Sequence, residues 1–217
     1  MKDKMAEYKP LLWILVIPVL NIFYGILNHG GSNVSSMMTK LDAQIPFVPA
    51  FIIPYLLWYP FIIIMLITFC VKNRRVYYRT LLTLCLGLIV SYITFYVYQT
   101  SIVRPQVTGH GLLNWLVQLI YQTDGPYNCF PSIHVLSSYL MLKGMADCRN
   151  WPLRSLVLVK ITSWSIILST LFVKQHVILD IVGGIILAEM LYYAVRKWMP
   201  SQAKSNPASE WSESNGL

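Results

Sequence analysis

Charge is what this chain has least of. Asp, Glu, Lys and Arg together make up 12% of its 217 residues, and only nine of them are acidic. That is about half the charged share of an ordinary soluble domain. A chain so poor in charge cannot cover a water-facing surface, whereas a lipid-facing chain has no need to. Cysteine is also sparse. Cys70, Cys85, Cys129 and Cys148 form no C-x-x-C pair and show no metal-type spacing, which argues against a zinc site or a disulfide framework. Internal repeats are absent as well.

Apolar residues are abundant, at 56% of the chain, and they gather in runs. A spanning helix needs roughly 20 mostly apolar residues. Six segments approach this length: Leu11–Leu27, Pro46–Val71, Thr80–Tyr98, Phe130–Ala146, Leu153–Val173 and Val177–Val195. The second carries Pro54 and Pro60, which membrane helices tolerate when neighbours satisfy the freed backbone groups. The first lacks a small-residue cleavage site and reads as a retained helix. The expectation is an all-α, six-helix polytopic membrane protein. Residues 1–10 form a cytoplasmic amino terminus, 11–198 the membrane catalytic domain and 199–217 a disordered cytoplasmic tail rich in Ser, Asn and Glu.

The net charge of +8 sits in short clusters between the apolar runs. It therefore reports topology and an anionic leaflet, not a nucleic-acid partner. Thirteen Lys and Arg fall on one side: Lys2, Lys4, Lys9, Lys72, Arg74, Arg75, Arg79, Lys143, Arg149, Arg154, Arg196, Lys197 and Lys204. Three fall opposite, Lys40, Arg104 and Lys174, while Lys160 lies within the fifth segment. This split predicts both termini in the cytoplasm. The longest outer loop runs from Gln99 to Cys129, and its stretch Leu112–Tyr121 is apolar enough to lie on the membrane surface.

Three polar clusters mark the outer ends of the segments. In Lys174-Gln175-His176-Val177-Ile178-Leu179-Asp180, His176 and Asp180 are four apart and share a helix face. A carboxylate one turn into an apolar span is costly without a partner. Accepting from the histidine ring would fix its tautomer and free the other nitrogen to attack or to bind a metal. In Cys129-Phe130-Pro131-Ser132-Ile133-His134, Pro131 suits a helix start, and Ser132 and His134 stand near free backbone N–H groups. In Val103-Arg104-Pro105, the arginine fork matches phosphate oxygens. Lys174 offers a second cation. The same residues also suit plain roles: caps at Asp180 and Ser132, a core histidine at His134, an interfacial arginine and a loop lysine. Taken together they supply a nucleophile, an orienting acid, a proton carrier and cations, with no acidic pair suited to magnesium.

With these residues the sequence resembles the type 2 phosphatidic acid phosphatase superfamily, whose motifs read K-x6-R-P, P-S-G-H and S-R-x5-H-x3-D. The matches are Arg104-Pro105, then Pro131-Ser132-Ile133-His134, then Ser169 with His176 and Asp180, in that order, and the resemblance covers roughly residues 11 to 195. Three positions depart from the pattern. Val97 replaces the first lysine, with Gln99 close by; Ile133 replaces the glycine; Thr170 replaces the third-motif arginine. The phrases Asn128–His134 and Lys174–Asp180 are similar to the branch that includes inositol phosphorylceramide synthases. The resemblance implies a cofactor-free, metal-independent lipid phosphate phosphatase of the cell membrane with an extracytoplasmic site. It implies that His176 is the nucleophile, Asp180 its partner and His134 the acid–base group. Arg104, Lys174, Ser132 and Gln99 are then the phosphate ligands. A lipid phosphotransferase and a catalytically inactive lipid-binding scaffold are the alternatives. Lys160 and Glu189, inside spans, and Asp124 and Tyr127, beside the second cluster, receive no role; nor do His29 and His110.

Overall fold

The computed structural model describes residues 9–31, 33–148 and 151–200. Lys2, Lys4, Arg149, Lys204 and the expected tail at 201–217 lie outside the described residues. A 3-10 turn, Lys9–Leu15, leads into α1 (Val16–Leu27). A short α2 (Lys40–Gln44) follows, then α3 (Ile52–Lys72) and α4 (Arg74–Val97). The surface helix α5 (Leu112–Thr123) precedes α6 (Ile133–Asp147), α7 (Leu153–Phe172) and α8 (Ile178–Trp198). Two-residue strands β1 (Ser35–Ser36) and β2 (Thr100–Ser101) pair in parallel and tie the outer loops together.

Five helical stretches are long and apolar enough to cross a membrane: Lys9–Leu27, Pro49–Lys72, Arg74–Val97, Leu153–Phe172 and Ile178–Trp198. The expected fourth span differs. The helix there, α6, has 15 residues, which at 1.5 Å per residue reaches about 22 Å against a hydrocarbon core of about 30 Å. Ser132 caps it at one end and the chain turns extended at Cys148. It compensates for shortness by burial, packing against α4, α7 and α8 through Val135, Leu136, Leu140 and Met141. A further difference lies between α3 and α4. The expected loop from Lys72 to Arg79 is reduced to Asn73, whose Oδ1 accepts from the N–H of Arg75 and of Val76, so α4 starts at once.

One close approach sets the position of the site. Gly184, on α8, faces the start of α6, and a Cβ there would lie 2.9 Å from the Ser132 carbonyl oxygen. Small residues permit such backbone proximity between membrane helices. The Ser132 N–H then donates to Asp180 O at 3.2 Å, locking the two helix starts together. The opposite end of the bundle is fastened by charge. Arg79, almost fully buried, pairs with Asp147, which also accepts from Tyr192 at 3.0 Å. Glu189 bridges α8 to α6 through Tyr139 at 2.6 Å and Lys143 at 3.0 Å, as its place inside an apolar span requires. Lys160 is exposed on α7.

Candidate active site

The end of the bundle that carries the three clusters is built by loops stapled to helix starts. Asp42 does much of this. Its Oδ2 accepts from the Thr39 N–H and hydroxyl in a capping box, and its Oδ1 accepts from the Ile178 N–H at 2.8 Å, the first amide of α8. Burial works to raise the Asp42 carboxyl, but the hydrogen bonds from Thr39 and Ile178, with Lys174 nearby, hold it below its ordinary value. Lys174 donates from Nζ to Asp42 O at 3.1 Å and Ile45 O at 2.5 Å, closing the last turn of α2. Its own backbone is left-handed, with φ 52°. The Lys174 N–H reaches Leu171 O and the Gln175 N–H reaches Thr170 O, a Schellman ending of α7 in which lysine stands where glycine is usual.

That turn delivers His176. It is buried, with Nδ1 3.3 Å from Asp180 Oδ2. The same oxygen accepts from the Val177 N–H at 2.9 Å. Asp180 is fully buried, and its Oδ1 has no hydrogen-bond partner among the described residues. A carboxylate so placed makes Nδ1 the protonated nitrogen and leaves Nε2 with its lone pair. His134, one residue into α6, brings a second imidazole to a ring-centroid distance of 5.7 Å. Trp58 at 4.3 Å and Tyr55 at 4.7 Å hold the His134 ring, and Trp58 is itself fixed by donating to Ser137 Oγ at 2.7 Å. Ser132 is the N-cap of α6, accepting from the Val135 N–H; Pro131 therefore sits just outside the helix rather than in its first turn.

Both histidines border a cavity of about 240 Å³, together with Asn128, Gln175, Asp124 and Tyr127. The expected phosphate ligands stand back from it. Ser132 is fully buried, spends its hydroxyl on the α6 cap and does not border the cavity. Arg104 does not offer its fork to the cavity. It donates from Nη1 to Asp124 O at 2.7 Å and from Nη2 to Gly125 O at 2.9 Å and to Gln175 Oε1, and stacks on Tyr121. Gln99 spends Nε2 on Leu27 O, His29 O and Asn128 Oδ1, while its Oε1 accepts from the Gly31 N–H. Lys174 lies on the far side of His176, bordering a separate cavity of about 320 Å³ with Arg104.

Two residues outside the expected set present polar groups at the cavity. Gln175 and Asn128 are buried, border the cavity and carry amide nitrogens with no hydrogen-bond partner among the described residues. Their orientation is set from behind. Arg104 takes the Gln175 oxygen and Gln99 takes the Asn128 oxygen, so the NH₂ ends are the unspent ones. Asn128 also adopts φ 58°, a conformation asparagine tolerates better than most residues. The His134 Nε2 is likewise buried and unpartnered among the described residues. Buried polar groups in folded proteins nearly always find partners, so two orphaned amide donors beside an unpartnered imidazole nitrogen suit a ligand that carries acceptor oxygens.

Asp124 and Tyr127 both border this cavity. Asp124 accepts from Tyr24 at 2.6 Å and Asn28 at 2.9 Å, which ties α1 to the site. His29 lies beyond Gln99, and His110 precedes α5; neither borders the cavity. The cysteine spacing argues against a zinc site, yet the fold sets the Cys129 sulfur, a His176 nitrogen and an Asp180 oxygen within 4.8 Å of one another, a group able to hold a metal ion. The His176–Asp180 spacing is local, but Cys129 lies 47 residues before His176, so nothing in the linear sequence joins it to the pair.

No family model, no curated protein and no solved structure matches this chain.

Proposed function

We propose that this protein is an integral-membrane enzyme that hydrolyses lipid phosphates through a phosphohistidine on His176, at the extracytoplasmic end of its helices. The observation that carries this reading is the convergence of two imidazoles from different helices on one cavity, with a buried carboxylate behind one of them. In this scheme His176 Nε2 attacks phosphorus while the bond to the lipid oxygen breaks. His134 supplies the proton that the leaving alkoxide needs. Water then attacks the phosphohistidine, His134 takes its proton, and free phosphate leaves with His176 restored. One histidine serving both half-reactions is ordinary acid–base economy.

The non-bridging oxygens find Gln175 and Asn128, with the amides at the start of α6. Arg104 and Gln99 act one layer back, as positioning residues that turn those amides toward the ligand. Lipid as substrate is supported by a second cavity of about 330 Å³, apolar, that shares Asn21, Trp58, Tyr59 and Ile133 with the first. A headgroup at the histidines would have its chain in this groove between α1 and α3. The reading agrees with the resemblance to type 2 phosphatidic acid phosphatases, and the charge split supports an outward-facing site.

Purified protein should release phosphate from phosphatidic acid in excess EDTA, and His176→Ala should lose that activity by several orders of magnitude. Near-normal turnover in His176→Ala would remove the nucleophile. Strict dependence on added divalent metal would overturn the metal-free scheme. A second reading, transfer of a phospho-headgroup to an alcohol, rests on the likeness of the phrases Asn128–His134 and Lys174–Asp180 to the branch that includes inositol phosphorylceramide synthases. Lipid products that appear only when an alcohol acceptor is supplied would decide for transfer.

A further inference from the structure

We propose that Cys129, His176 and Asp180 form a three-ligand site for a thiophilic divalent cation such as zinc, and that filling it silences His176. The ligand set comes from two places: the loop before α6, which holds Cys129, and the contiguous stretch His176–Asp180 that leads into α8. All three residues are buried, at 3%, 8% and 0% exposure. Their donor atoms lie within 4.8 Å of one another. Three atoms that close always leave a point no more than about 2.8 Å from each, so shifts of roughly half an ångström or a little more reach the zinc distances of about 2.0–2.3 Å.

The orphaned Asp180 Oδ1 is the independent sign of a missing partner. A fully buried carboxylate oxygen without a donor is costly, and a cation is one way to satisfy it. The chemistry of the set selects the ion. Sulfur and imidazole ligands suit zinc and its first-row neighbours, whereas magnesium and calcium demand oxygen. Charge also balances. A divalent ion with one thiolate and one carboxylate is neutral, which a buried site requires. On binding, the thiol proton passes to water and a sulfur–metal bond forms. His176 borders both the histidine cavity and the cavity beside Lys174, which gives an ion its route in.

Silencing follows from the tautomer and rests on the phosphohistidine reading; binding does not. Nδ1 is the nitrogen beside Asp180. Metal at Nδ1 takes that lone pair and moves the ring proton to Nε2. The nitrogen that would attack phosphorus then has nothing to attack with.

The full chain in detergent micelles, titrated with cobalt(II), tests the binding half directly. A sulfur-to-cobalt charge-transfer band at one ion per chain is expected, abolished by zinc competition and weakened at least ~10–100-fold in affinity by Cys129→Ser. As a check that needs no variant, zinc should protect Cys129 in the parent protein from alkylation, read by mass spectrometry. Absence of the band together with no protection overturns the site, whatever the enzyme does. In the activity arm, zinc should inhibit phosphate release by the parent, while Cys129→Ser keeps basal turnover and loses the sensitivity. A cobalt band accompanied by faster turnover keeps the site and overturns both silencing and the metal-free mechanism.

Discussion

In the proposed reaction two amide side chains, Gln175 and Asn128, receive the anion, and the oxygen of each is held by a residue behind it. Hydrogen bonds to a charged group contribute about 1.5–3 kcal/mol each. Gln175→Leu should therefore lower kcat/KM on phosphatidic acid by roughly 10–100-fold. Asn128→Gly is the matching test, since glycine accepts the left-handed backbone while removing the amide. An effect of similar size is expected there, with little change in thermal unfolding. Arg104→Lys keeps the charge but cannot span the Asp124 and Gly125 carbonyls and the Gln175 oxygen at once. Its loss of activity should match that of Gln175→Leu, and the double variant should be less than additive. Full additivity in that cycle would make Arg104 a direct ligand.

At the level of helices, the site depends on how the starts of α6 and α8 meet. Gly184→Ala pushes a methyl group toward the Ser132 carbonyl and Val135. Overpacking of this kind costs about 1–3 kcal/mol. Activity should fall further than the shift in unfolding temperature suggests, because the two histidines separate. The loop clamp makes a different prediction. Asp42 caps α8 through the Ile178 N–H, so Asp42→Ala should destabilise by about 1 kcal/mol. Its pH dependence has a defined sign. The folded carboxyl lies below its unfolded value of about 3.9. Its contribution is thus complete above that value and disappears as pH falls through the folded one. Unfolding temperatures followed from about pH 6 to about pH 3 should decline less in Asp42→Asn than in the parent.

The whole molecule has two unlike ends. One gathers His134, His176 and the capped loops; the other is fastened by Arg79, Asp147 and Tyr192. An extracytoplasmic site requires the first end to face out. His110→Cys, in the loop before α5, should react with a membrane-impermeant thiol reagent added to intact cells. Asn73→Cys, between α3 and α4, should react only after permeabilisation. The reverse pattern would invert the topology and move the site to the cytoplasmic face.

Helix positions were legible because apolar runs and caps are local signals, written in consecutive residues. Five stretches meet the demands of a bilayer for that reason. The exception, α6, is informative: hydropathy marks an apolar run but not whether lipid or protein surrounds it, and this short helix is packed on three sides by others. His176 and Asp180 do meet, but not on a shared helix face as the four-residue spacing predicts: His176 lies in the turn two residues before α8, and the Asp180 side chain reaches back past the extended N-cap Val177 to it. Thr39 and Asp42 form a capping box whose spacing was open to reading. Where Arg104, Lys174 and Gln99 spend their donors was not, because long side chains choose among partners that only folding brings near. The unspent groups on Gln175, Asn128 and Asp180, and the approach of Cys129 to His176, belong to the same category. Linear order sets which residues are available and which helices they ride on; it does not set which hydrogen bonds are satisfied, since that depends on distances between segments far apart along the chain.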